Sequence, residues 1–353
     1  MNNKKNTTKA TTIKDIAAAA GVSIGSVHRA IYGKEGISDE TRQRILEEVK
    51  RQNYRINPVA SSLKRKTLNI AVVLPRPEGE ERFFFRGIWD GIRQSVSSLE
   101  KFNVNFHFFE SEYSLDKISQ TLQYIYDTNA DELDGLITIS DDAKSNEWIA
   151  RLHRRGISVV LLSSYSHADN YFCCIKVEHE KQGKLVAEYI HSVCQQTEGK
   201  ILVLTGSEHI FSNKRYSDAF LSKMHEYEPQ REILCVNGFG AQAITEQCIH
   251  LLRTEPIACI FSCNARNTYA MGKVLEQLGR NDITFVGTDV FYELKPFFDN
   301  HILNASIYQY TQEQGIRAVE VLYQHISTDT QERGQVTMPT GLILGSNYEY
   351  FMH

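Results

Sequence analysis

Several things are scarce in this chain of 353 residues. No apolar run approaches the ~18 residues a membrane span needs, because a charged side chain interrupts every such stretch. Seven prolines and 21 glycines are too few for a collagenous or low-complexity chain. Cysteine is missing from the first 172 residues: all seven lie between positions 173 and 263, with no C-x-x-C pair. Zinc ribbons and thioredoxin-like motifs need that pairing, so the thiols read as small apolar groups in a reduced core. The phosphate-cradling G-x-x-x-x-G-K-[ST] loop and the zinc-binding H-E-x-x-H are also absent. No paired acid/base constellation stands out, so the expectation is a protein that is not an enzyme and uses no cofactor or metal. The start, MNNKKNTTKATTIKD, is basic with no apolar stretch behind it, which does not read as a secretory signal; the expected compartment is the cytoplasm.

What is present divides by charge. Residues 1–66 hold 14 Lys/Arg against 6 Asp/Glu, while the remainder holds 25 against 37. A basic head on an acidic body is the footprint of a polyanion binder. With 42% apolar residues the chain has enough core for two or three globular units.

Within the head, Thr12-Ile13-Lys14-Asp15 reads as a helix start, with Thr12 as N-cap. Ile13, Ile16, Ala17 and Ala20 share one helical face, and Gly21 supplies the turn out. A second short helix runs from Ile24 to about Tyr32, with Val27, Ala30 and Ile31 inward. Ser38 caps a third, with Ile45, Leu46 and Val49 on its inner side. Two short helices joined by a Gly-containing turn and braced by a third make a helix-turn-helix plan. Asn57-Pro58 is then a strong N-cap and N1 pair, opening a helix too short to stand alone.

Residues 11–66 resemble the DNA-binding head and hinge of LacI/GalR-type bacterial regulators. The resemblance implies that the second helix lies in the major groove of an operator, with Ile24, Gly25 and Arg29 at base-reading positions. Arg29 suits guanine O6/N7 and Ile24 a thymine methyl. Ser23 and Ser26 are phosphate-contact candidates; His28 stands where the family usually has serine. It further implies a hinge carrying Asn57, Ala60 and Leu63 that orders on DNA, with Leu63 wedging a minor-groove step. The divisions expected are a head over 1–56, a hinge over 57–67 and a ligand-binding, dimerising body over 68–353.

From Asn69 onward, ten β-branched runs alternate with amphipathic helices: 70–74, 104–109, 135–139, 158–162, 174–177, 200–204, 233–236, 258–261, 283–286 and 305–308. Such alternation argues for parallel sheets covered on both faces, and ten strands argue for two lobes. The body resembles the type I periplasmic-binding-protein fold used as a sensor by LacI/GalR regulators, which implies two parallel sheets and three crossings between lobes. The crossings are expected near 163–168, 289–294 and 327–333, giving an N-lobe of about 68–164 and 292–327 and a C-lobe of about 168–288 and 333–350. The fold class expected is thus an all-α helix-turn-helix head on a two-lobed α/β body.

Ligand in this fold sits outside the carboxyl ends of the strands. By resemblance, Phe84 and Phe85 after the first strand, and Phe239 after the seventh, are stacking aromatics. Asp141 follows the third strand, and Arg215 stands in the loop whose arginine grips hydroxyls or carboxylates. Asn264 matches the family's Ala-Asn-Asp, whose last residue is Ala265 here. Asp289 matches Gly-x-Asp, a carboxylate for sugar hydroxyls, and Gln309 precedes Gly315 as in the family's Gln…Gly pattern. Glu178 occupies a position usually held by Asp. A homodimeric repressor follows as the expectation, controlled by a pentose, hexose, uronic acid or nucleobase, with double-stranded operator DNA as partner and no membrane. A transporter's solute-binding protein and a ligand-independent DNA binder are the alternatives.

Overall fold

The computed structural model describes residues 12–31, 33–52, 66–112, 115–140, 142–164, 170–328 and 334–352. The head is three helices, α1 (Ile13–Ala20), α2 (Ile24–Ile31) and α3 (Asp39–Arg51). A reciprocal capping box starts α1: Thr12 Oγ1 accepts from Asp15 N at 3.4 Å, and Thr12 N donates to the Asp15 carboxylate at 2.8 Å. Gly21 ends it at φ 66°, the left-handed region that glycine enters without cost. Ile16, Ala17, Ala20, Val27, Ala30 and Ile45 close one small core. Leu46, expected inward, is 43% exposed, because Ile45 and Val49 already form the i, i+4 stripe that α3 turns to that core.

The body holds two six-stranded sheets. The first contains β1 (Leu68–Pro75), β2 (Val104–Ser111), β3 (Gly135–Thr138), β4 (Ser158–Leu162), β5 (Cys173–Lys176) and β11 (Gly334–Thr337), in the order β11-β5-β4-β3-β1-β2. The second contains β6 (Lys200–Gly206), β7 (Ile233–Asn237), β8 (Ile257–Ser262), β9 (Thr284–Thr288), β10 (Ala305–Tyr308) and β12 (Gly341–Leu344), in the order β12-β10-β9-β8-β6-β7. Every pairing is parallel except β10 with β12.

The strands read as continuous apolar runs because helices cover both faces. Ile70, Val72 and Leu74 of β1 join the core that α4 (Arg82–Leu99) and α12 (Thr311–Thr328) cover. The alternate residues Ala71 and Val73 join the core under α5 (Leu115–Thr128) and α6 (Ala143–Arg154). In the second sheet, Ile201 and Val203 face α7 (His179–Cys194) and α8 (Phe211–Tyr227). Leu202 and Leu204 face α9 (Ala241–Thr254), α10 (Ala265–Leu278) and α11 (Lys295–Asp299). α4 and α12 pack backbone to backbone at Gly91 and Gly315, where a Cβ would collide with the Gln312 and Ile88 carbonyls.

All ten strands expected from the sequence form. β11 and β12 escaped the reading because each is a four-residue edge strand with little buried surface. Their pairing relocates the crossings. β5 joins β4 in the first sheet, and β10 joins β9 in the second, while α12 returns to the first-sheet core. The chain therefore crosses near 177–178, 309–310 and 338–340, rather than 163–168, 289–294 and 327–333. The first lobe is about 68–176 with 311–337, and the second about 179–308 with 341–351. Sequence spacing finds strands, but which sheet a strand joins is decided by partners far along the chain.

Candidate functional site

In the head, α2 turns Val27 and Ala30 into the core and leaves Ile24, Gly25, His28 and Arg29 on the opposite, exposed face. Ile24, a large apolar side chain, is 42% exposed there. Ser23 Oγ accepts from Ser26 N at 3.1 Å and lies 3.0 Å from Ser26 Oγ, so the two serines order the helix start. Arg42 holds the far end of α2, donating to the Arg29 carbonyl at 3.1 Å and the Lys34 carbonyl at 2.7 Å. The Arg29 side chain runs against Gly36, with no carboxylate paired to it among the described residues. An unpaired guanidinium beside an exposed apolar side chain and a bare glycine, on a rigidly capped helix, suits insertion into a nucleic-acid groove. Asn57, Ala60 and Leu63 lie outside the described residues, as does Asp141.

Between the lobes is a cleft of about 720 Å³ at the carboxyl ends of the strands. Phe84, Phe85, Phe239, Asn264, Asp289 and Gln309 all line it, so the structure gathers six of the eight expected ligand residues. Asp289 sits at the end of β9 with φ 68°, 3% exposed. Gln309 Nε2 donates to both its carboxylate oxygens, at 3.0 and 3.1 Å. Burial pushes the Asp289 carboxyl up to about 7, partly opposed by that hydrogen bond. Asn264 caps α10, its Oδ1 accepting from Asn267 N at 2.9 Å. That fixes the amide, so Nδ2 turns away from the helix; it is buried and has no hydrogen-bond partner among the described residues.

Arg215 is not on the lining. Ser212, Asn213 and Tyr216 are the α8 residues that face the cleft, and Arg215 sits about a quarter-turn round the helix, ion-paired with Glu180 at 3.0 Å. The guanidinium in the cleft belongs to Arg266, which lies over the Phe239 ring at 4.2 Å and pairs with Glu81. Burial lowers its pKa to about 10. The sequence signal was available, since Arg266 opens α10 directly after Asn264-Ala265. Asn213 and His179 were also missed. Asn213 Nδ2 is buried with no hydrogen-bond partner among the described residues. His179, at the first crossing, has its pKa pushed down to about 4 by burial and stays neutral. Glu178 pairs with Lys181 at 2.6 Å and is not part of the lining.

The first lobe also grips the second. Phe83 leaves α4 to enter the second lobe's core, stacked on Phe291 with centroids 4.5 Å apart and 4.8 Å from Tyr269. Arg82 pairs with Glu293 at 2.8 Å, and Glu80 accepts from Ala241 N at 3.2 Å, at the start of α9. Phe83, Phe84 and Phe85 thus split their work: one plugs the opposite lobe and two face the cleft. Among the described residues, no helix is long and apolar enough to cross a membrane.

Comparisons with known proteins agree with this layout. Residues 12–57 match the family described as "Bacterial regulatory proteins, lacI family", and residues 70–330 match "Periplasmic binding protein domain". "Catabolite control protein A" of Priestia megaterium is 26% identical over 79% of this chain and 74% of its own length. "Probable HTH-type transcriptional repressor ExuR" of Bacillus subtilis is 25% identical over 79% of this chain and 81% of its own. A Bacillus halodurans transporter solute-binding protein with bound myo-inositol superposes with TM-score 0.71 at 15% identity, covering 81% of this chain and 97% of that one. A Burkholderia graminis solute-binding protein in complex with D-arabinose gives 0.68 at 15% identity, covering 82% and 99%. At such identity these structures speak for the fold alone.

Proposed function

As a chain that belongs to the periplasmic-binding-protein family and carries a lacI-family head, this protein is, we propose, a cytoplasmic, homodimeric transcriptional repressor whose grip on its operator is set by a sugar-like metabolite in the cleft. It acts by binding and not as an enzyme. The observation that carries the reading is the convergence on one cleft of Asp289, Gln309, Asn264 and the aromatics Phe84, Phe85 and Phe239, in the same chain as an exposed reading helix. An aromatic platform ringed by hydrogen-bonding groups is how a polar ring is held.

On this reading two heads meet the halves of a near-palindromic site, since a two-fold protein demands matching half-sites. Ile24 and Arg29 contact base edges, and Ser23, Ser26 and His28 steady the helix against phosphates. Asn57, Ala60 and Leu63 form the hinge, with Leu63 as the minor-groove wedge. Ligand acts on the balance between open and closed lobes, and the groups already spanning the lobes are Phe83, Arg82–Glu293 and Glu81–Arg266. Each tenfold change in operator affinity requires about 1.4 kcal/mol of preference for one lobe arrangement.

The test is selection of full-length protein against random duplexes, followed by footprinting. Recovery of a sequence with two related, inverted half-sites is expected. Uniform protection of every duplex would remove the operator reading.

A further inference from the structure

We propose that the effector carries no negative charge: the cleft accepts a neutral or amine-bearing polyhydroxylated ring and rejects its carboxylated and phosphorylated counterparts. This deepens the sugar-binding reading above and rests on it.

Charge, and the pairing of the positive groups on the lining, set what the cleft accepts. The carboxylates on the lining are Glu80, Glu81 and Asp289, against a single guanidinium, Arg266. His179 is buried and adds no positive charge, because burial holds its pKa near 4. Two features would ordinarily draw an anion into such a site, a buried arginine and a helix N-terminus. The arginine and the N-termini of α9 and α10 are answered from within the protein, while α8, whose first turn lines the cleft at Ser212 and Asn213, has no side-chain cap. Glu81 pairs with Arg266. Glu80 takes the Ala241 N–H at the start of α9. The N-terminus of α10 is likewise closed by the Asn264 side chain.

Two further buried groups on the lining are of another kind. Asn213 Nδ2 and Asn264 Nδ2 are buried donors with no hydrogen-bond partner among the described residues, and both crowd the same spot over Gly206. Neutral amide donors fit hydroxyl or ring oxygens, and leaving them unpaired is costly. Asp289, held by Gln309, offers acceptor oxygens for hydroxyls or an ammonium. A carboxylate or phosphate brought into this cleft meets the Glu80 and Glu81 carboxylates and the partly ionised Asp289, and among the described lining residues the one guanidinium is already paired with Glu81.

The experiment titrates full-length protein, by calorimetry and thermal shift, with sets matched in stereochemistry. These are glucose, galactose and mannose, each beside its 2-amino-2-deoxy sugar, its uronate and its 6-phosphate, with ribose and arabinose beside their 5-phosphates. Wherever a parent sugar binds, the uronate and phosphate are expected to bind at least roughly tenfold more weakly, and the amino sugar to match the parent within about tenfold. Glu81→Gln, which releases Arg266, is expected to narrow the gap between parent and uronate, with Glu80→Gln as the second variant should the first misfold. A uronate or phosphate that binds as tightly as its parent overturns the proposal while leaving the cleft a sugar site. If no member of any set binds, the sugar reading itself fails and this inference falls with it.

Discussion

The head and the cleft place their functional residues in opposite ways. The exposed face of α2 in the head falls within one seven-residue span, Ser23 to Arg29, on and just before one capped helix. The cleft draws on segments from Glu80 to Gln309, brought together by two sheets and three crossings. A helix face is fixed by 100° per residue, so spacing alone predicts it. A cleft is fixed by which strand pairs with which, and no local pattern records that.

That contrast explains what the sequence yielded. All ten expected strands, the capping box of α1 and the head's inner stripe except Leu46 follow from cap chemistry and periodicity. Phe239, Asn264, Asp289 and Gln309 line the cleft because each follows a strand end within two residues, and Phe84 and Phe85 because the first turn of α4 carries them there. Arg215 was misplaced because being near the right loop does not decide which side of α8 a residue takes. Glu80 and Glu81 were invisible for a related reason: their contacts with Ala241 and Arg266 bridge residues more than 150 positions apart, on different lobes. The lobe boundaries failed where β5 and β10 chose their sheets.

Substitutions can break or sharpen this comparison. The largest effect is expected for Phe83→Ala, which empties a buried aromatic site shared by the two lobes. It should destabilise the body by about 3–5 kcal/mol in denaturant unfolding while a separate head transition is unmoved. A loss under about 1 kcal/mol would mean the plug is not a determinant of lobe packing.

Asp289→Ala is expected to cost about 2–3 kcal/mol of ligand affinity in calorimetry, leaving ligand-free operator binding unchanged. The same carboxyl gives a pH signature. Its folded pKa, about 7, lies above its ordinary 3.8, so folding stability from this group is lost as pH rises from about 4 to about 7. Hydroxyl donors prefer the ionised form, so affinity for a neutral sugar should rise between pH 6 and 8. Asp289→Asn should flatten that rise, and an unchanged pH profile would take Asp289 out of the contact.

Arg29→Ala should weaken selective DNA binding by about 1–3 kcal/mol and relax preference at one base pair per half-site, with ligand affinity unaffected. Binding-site selection would show it; an unaltered consensus would contradict base reading by Arg29. The smallest effect belongs to Arg215→Ala. Removing an exposed ion pair should change stability by less than about 1 kcal/mol and leave ligand affinity as it was. A strong loss of ligand binding would return Arg215 to the cleft.

The most direct measurement is the affinity of full-length protein for its selected duplex, at fixed salt, titrated with whichever sugar stabilises the body. If ligand occupancy governs DNA grip, the dissociation constant shifts at least tenfold, and Asp289→Ala abolishes the shift without changing the ligand-free value. An affinity that stays constant from empty to saturated cleft would contradict that coupling.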